Sequence, residues 1–140
     1  MVSCMGVICT RKLRTCGSGV EQMNDIVVIP TTCTFTPMVE NMVTWCCEYF
    51  GISQIAIEVT LRDSYESEDC WGISEQVNRD SYRITVCTNQ SLRDFVATLC
   101  HEMIHVNQWV TGEWEGDGEE ECENRQYELA DMYWDSEKIA

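Results

Sequence analysis

Apolar and polar positions change their spacing several times along the chain, and each change predicts an element. Ile26-Val27-Val28-Ile29 is a short apolar run closed by Pro30, which reads as a strand that a proline ends. Thr36 and Pro37 open a helix, with the hydroxyl as N-cap and the proline at the first helical position. Val39, Met42, Val43, Cys46, Cys47 and Phe50 then recur at helical spacing, and Gly51 stops the run. Ile55, Ile57, Val59 and Leu61 alternate with Ala56, Glu58 and Thr60, the pattern of a half-buried strand. Arg62 to Asp69 is polar and turn-like. Trp71 to Val77 reads as a second strand of this region, Asn78-Arg79-Asp80 as a tight connection, and Tyr82 to Cys87 as a third alternating strand. Such short connections predict an antiparallel meander.

Ser91-Leu92-Arg93-Asp94 resembles a capping box with Asp in place of Glu or Gln. The helix behind it carries Leu92, Phe95, Val96, Leu99, Met103, Val106 and Val110 on one side and ends at Gly112. A Gly- and acid-rich loop, Glu113 to Gly118, leads into a last helix from about Glu119, with Cys122, Leu129, Met132 and Tyr133 as its apolar positions. Residues 1–24 have no clear periodicity and include Gly17-Ser18-Gly19, so a loosely ordered start is expected. The organisation is one α+β domain over residues 25–140.

Composition narrows the function classes. A chain of 140 residues that is 44% hydrophobic and 24% charged has material for one core. The net charge of −15 argues against nucleic acid or an anionic membrane surface as the main partner, since both would repel it. No run of 18 apolar residues predicts a transmembrane helix, and Met1 to Gly6 lacks the positive start of a secretion signal. The ten cysteines are therefore read as mostly buried, free thiols of a cytoplasmic protein. There is no C-x-x-C; Cys4, Cys9 and Cys16 remain as minor candidates for a metal or for disulfides. From Glu113 onward eleven acids face only Arg125 and Lys138. Most of such a run is a solvated face.

The chain has two histidines, and both fall in His101-Glu102-Met103-Ile104-His105, an H-E-x-x-H segment in mid-helix. Residues four apart stack on one helix face, so two imidazoles there can reach one Zn²⁺. Glu102 is placed to act as general base toward a water that zinc makes acidic. A third protein ligand is needed if a water is to keep the fourth position. Neither Gln108 nor Gly112 extends the motif toward a third histidine, so that ligand must be a carboxylate or a thiolate.

With these residues the chain resembles a minimal zinc metallopeptidase of the gluzincin kind. The lead-in from Tyr82 to His105 is also similar to small phage-encoded and SprT-like or ImmA/IrrE-like metallopeptidase domains. The resemblance covers about residues 37–134. It implies an α+β zincin layout: an antiparallel sheet of three to four strands packed on the motif helix and flanking helices. In this family the ligand Glu opens E-x-x-A-[DN] or E-x-E-A-[DN]. The nearest match is Glu121-Cys122-Glu123-Asn124-Arg125, which makes Glu121 the implied ligand, with Asn124 and Arg125 departing from the pattern. Glu128, with Asp131 behind it, is the rival; Glu120, Glu123 and the Cys122 thiolate are lesser options. The resemblance further implies an edge strand that pairs with extended substrate, for which Tyr82 to Thr88 is the candidate. It also implies an oxyanion stabiliser from among Tyr127, Tyr133 and Arg125.

The function expected is zinc-dependent endopeptidase action on a peptide or protein, with basic or unfolded stretches favoured by the acidic surface. Two alternatives remain: a binding module with a structural zinc, and an acidic partner-binding protein without metal.

Overall fold

The computed structural model describes residues 24–63 and 71–139. Most of the expectation for residues 1–24, residues 64–69 of the segment read as turn-like, and Cys4, Cys9 and Cys16 fall outside them, while Arg62, expected in that segment, ends a strand. The elements run β1 (Asp25–Ile29), α1 (Thr36–Phe50), β2 (Ala56–Arg62), β3 (Gly72–Asn78), β4 (Ser81–Cys87), α2 (Leu92–Thr111) and α3 (Glu119–Ile139). Each predicted strand and helix exists, and the class is α+β.

The sheet, however, is mixed and not an antiparallel meander. Its order is β1-β2-β4-β3, with β1, β2 and β4 parallel and only β3 antiparallel to its neighbour β4. Two connections account for this. The helix α1 carries the chain back from β1, which makes β2 parallel to β1. The segment from residue 63 to 71 is long enough to step past one strand position, about 4.8 Å per strand, so β3 lands on the edge. The tight turn after Asn78 then folds β4 into the gap. Tyr82 to Thr88 is thus a central strand, and β3 is the edge strand on that side.

Register divides the sheet into two faces. Val28, Val59, Ile84 and Ser74 form one row across the strands, and Leu61, Val86 and Gly72 the next. These rows face the helices, where α1 contributes Val39, Met42, Val43, Cys46 and Cys47 and α2 contributes Phe95, Leu99, Met103 and Ile104. Burying each large apolar side chain stabilises by about 1.5–3 kcal/mol, which makes this interface the main source of order. On β3 the pattern is inverted: Ile73 and Val77 are exposed on the outer side, while the small residues Gly72 and Ser74 face inward. A cleft occupies the space that larger inward side chains would fill.

The caps of α2 are as expected. The Ser91 Oγ accepts from the Asp94 N–H at 3.1 Å, and Gly112 closes the helix at φ 72°. Helix α1 starts differently. Phe35 is its N-cap without a side-chain bond, and Thr36 lies inside the helix, its hydroxyl donating to the Pro30 carbonyl at 2.6 Å. Leu92, Val110 and Met132, expected at apolar positions, are exposed near the helix ends or on the outer face of α3.

Candidate metal centre

Helix α2 lies against β3 and α3, and its residues 101, 105 and 108 share one stripe by their spacing of four and three. The two imidazoles are largely buried, with side-chain exposures of 16% and 12%. Their Nε2 atoms converge on one carboxylate. His101 Nε2 lies 3.0 Å from Glu119 Oε1, and His105 Nε2 lies 2.7 Å from Glu119 Oε2. Their Nδ1 atoms are held from behind, His101 by Gln126 Oε1 at 2.6 Å and His105 by Gln108 Oε1 at 3.0 Å.

The orientation of Gln108 follows from its own partners. Its amide nitrogen donates to the Gly118 carbonyl at 3.0 Å and to Glu121 Oε1 at 2.9 Å. The remaining oxygen must face His105, so His105 carries its proton on Nδ1. Gln126 presents its oxygen to His101 Nδ1 in the same way. Both Nε2 atoms then present lone pairs to carboxylate oxygens. Acceptors facing acceptors need a cation or added protons between them. Ligands placed tetrahedrally about 2.0–2.1 Å from one zinc ion sit about 3.3 Å apart, so an ion would open the 3.0 and 2.7 Å contacts by about 0.3–0.6 Å. The donor chemistry and spacing therefore fit a divalent metal.

No family model, curated protein or solved structure matches this chain. His101, His105 and Cys122 form a possible metal-binding triad, with one ligand atom from each lying within 4.8 Å of the others. Cys122 is fully buried, and burial pushes its thiol up to about 12, with Glu119, Glu102, Glu121 and Glu123 adding to the effect.

Glu102 points into the same cleft. It is 5% exposed, and burial raises its carboxyl above the usual range; a hydrogen bond from Ser74 and the two histidines oppose the rise, while Glu119 adds to it. The room for this carboxylate comes from Gly72 on β3. A Cβ there would stand 2.8 Å from Thr98 Cγ2 and 3.0 Å from Glu102 Oε2. The cleft has a volume of about 370 Å³. Gly72 to Ser74 form one wall, Trp109 and Trp114 another, and Asp117 and Glu119 complete the rim.

The structure redistributes the other expected roles. Glu121, the expected third ligand, is engaged elsewhere: its carboxylate accepts from Gln108 Nε2 and from Arg125 Nη1 at 2.9 and 3.0 Å. Glu119, two residues earlier and the first residue of α3, stands at the histidines in its place. Glu128 and Glu123 are exposed, Asp131 pairs with Arg93 at 2.7 Å, and Glu120 borders a neighbouring hollow beyond Trp114. None of the three oxyanion candidates lines the cleft. The Tyr127 hydroxyl donates to Asp94 at 2.7 Å, the buried Tyr133 hydroxyl accepts from Asn41 at 3.0 Å, and Arg125 is engaged by Glu121. Sequence reasoning missed Glu119, Gln108 and Gln126. Gln108 alone carried a readable signal, since it lies three residues after His105 on the same helix face.

Proposed function

We propose that the protein is a zinc-dependent peptidase. The observation that carries the reading is the convergence of two histidine Nε2 atoms on Glu119 while both Nδ1 atoms are bonded to glutamine carbonyls. His101, His105 and Glu119 would hold the ion, a nitrogen and oxygen set that suits zinc. When bound, zinc polarises a substrate carbonyl and brings the pKa of a water near 7. Glu102 would take the proton of the attacking water on its carboxylate and return it to the departing amine. Its raised pKa brings it nearer the working pH, where a general base is most effective.

The edge position of β3 supports a peptide as substrate. Among the described residues β3 has a neighbouring strand on one side only, a position at which an extended chain can add to a sheet, and it forms a wall of the cleft. Asp117 and Glu119 on the rim, with the net charge of −15, favour basic stretches of that peptide. Among the described residues no helix is long and apolar enough to cross a membrane. Six free cysteines among them support a reducing compartment, the cytoplasm.

A second reading has an observation of its own. If Cys122 joins the histidines and Glu119, four protein ligands close the site and the ion is structural. Native mass spectrometry of the full chain, with wild type, His105→Ala and Cys122→Ser, tests both. The peptidase reading expects one zinc in wild type, none in His105→Ala, and unchanged zinc in Cys122→Ser. It also expects cleavage of a peptide library that Glu102→Gln abolishes while keeping the zinc. Loss of zinc from Cys122→Ser, or cleavage retained by Glu102→Gln, refutes it.

A further inference from the structure

Gln108 lines the cleft beside His105, and its side-chain polar atoms are committed at the candidate metal centre. Only 4% of it is exposed. Its oxygen accepts the His105 Nδ1 proton at 3.0 Å. Its nitrogen donates to the carbonyl of Gly118, the residue directly before Glu119, at 3.0 Å, and to Glu121 Oε1 at 2.9 Å. One buried amide thus ties the second histidine on α2 to the turn that delivers the carboxylate on α3.

Gly118 is shaped to this contact. It lies at φ 81°, a left-handed conformation that glycine adopts without steric cost. A Cβ at Gly118 would also collide with the Gln108 side-chain oxygen. The bond to Glu121 has a further consequence. It occupies one oxygen of the second acid in the Glu119-Glu120-Glu121 run, while Arg125 occupies the other at 3.0 Å. Glu121 is thereby held off the histidines, and Glu119 is the carboxylate left to meet them.

We infer that Gln108 is a positioning residue that couples His105 to Glu119, setting the histidine's tautomer and selecting Glu119 over Glu121 as the third ligand. The inference rests on the metal centre proposed above. Outer partners of metal-bound histidines are typically worth about 10- to 100-fold in metal affinity.

The test uses the full chain as wild type, Gln108→Met, which keeps length and removes both hydrogen-bonding groups, and Gly118→Ala, which disturbs the contact from the loop side. Zinc affinity is read by competition with a chromophoric chelator, and the His105 tautomer by nitrogen-15 NMR of the metal-free protein. Wild type is expected to carry a proton on His105 Nδ1, either alone or together with one on Nε2 that faces Glu119. Gln108→Met is expected to lose that preference and bind zinc about 10- to 100-fold more weakly, with an unchanged helical circular dichroism spectrum. Gly118→Ala is expected to weaken zinc binding likewise. A His105 protonated on Nε2 alone in metal-free wild type overturns the inference without any variant, so a variant that fails to fold does not shelter it. Tight zinc binding by wild type and by Gln108→Met alike overturns this role and leaves the metal centre standing. Absence of zinc binding in wild type overturns both.

Discussion

Replacing Gly72 with alanine probes how closely β3 seats Glu102, the proposed general base. The added Cβ would lie 2.8 Å from Thr98 Cγ2 and 3.0 Å from Glu102 Oε2. Carbon atoms in contact prefer about 3.5–4.0 Å, so the first separation must open by about 0.7 Å or more. Overpacking of this size costs about 1–3 kcal/mol of stability. Glu102 is confined by its 5% exposure and must give by a few tenths of an ångström. A full 1 Å misplacement at a reacting group costs about 100-fold in rate, so turnover is expected to fall about fivefold. The histidines and Glu119 stand apart from the new methyl, so zinc stoichiometry is expected to stay at wild type. The assay is kcat on a peptide from a library screen, with zinc by native mass spectrometry and stability by thermal unfolding. Thr98→Ser adds a control, since it removes Cγ2 and keeps the hydroxyl that bonds Gln90 at 3.2 Å. In the double variant stability is expected to recover while turnover stays low. Turnover within threefold of wild type in Gly72→Ala, or full recovery of turnover in the double variant, would refute the claim that Gly72 makes room for Glu102.

Three further outcomes are expected. Glu119→Gln is expected to lower zinc affinity by more than the about 100-fold typical of an outer partner, whereas Glu121→Gln leaves it within a few-fold, as read by chelator competition; equal losses would mean that both acids share the site. Burial pushes the Cys47 thiol up to about 12, with Glu48 adding to the effect, so its native thiolate is scarce at pH 8, and iodoacetamide is expected to label it only after unfolding, as followed by peptide mass spectrometry. The Asp94 carboxyl is held below the usual range by the Tyr127 hydroxyl and then by Ser91. A lowered folded pKa gives stability that is present above the unfolded value of about 3.9 and is lost as pH falls through the folded one. Asp94→Asn is therefore expected to lower the urea midpoint at pH 6, with the difference from wild type shrinking below about pH 4; a constant difference down to pH 2 would contradict this.

Much of the architecture was legible because it is written in short-range spacing. The Ser91 cap, the Gly112 stop and the period of α2 depend on hydrogen bonds within one turn, so a local reading places His101, Glu102 and His105 on a helix. The alternation in β2 and β4 likewise marks which residues meet the helices. These are properties of neighbours in the chain, and no fold is needed to state them.

Strand order is different in kind. It depends on where a connection lands, and the step past one strand position places β3, not β4, beside the cleft. The inward face of β3 is polar and small because a cleft lies there, which periodicity alone cannot distinguish from a weak strand. The carboxylate that meets the histidines is likewise a matter of tertiary placement. Glu119, Glu120 and Glu121 are chemically equivalent in sequence. Which of them meets the histidines is set by the turn at Gly118, the rotation of α3 against α2, and the buried Gln108 amide between them. Tyr127, Tyr133 and Arg125 are turned from the cleft by the same docking of α3. The chain's local chemistry places two histidines and a glutamate on one helix, while the packing of one helix against another chooses the carboxylate that meets the histidines, because that choice rests on distances between residues far apart in sequence.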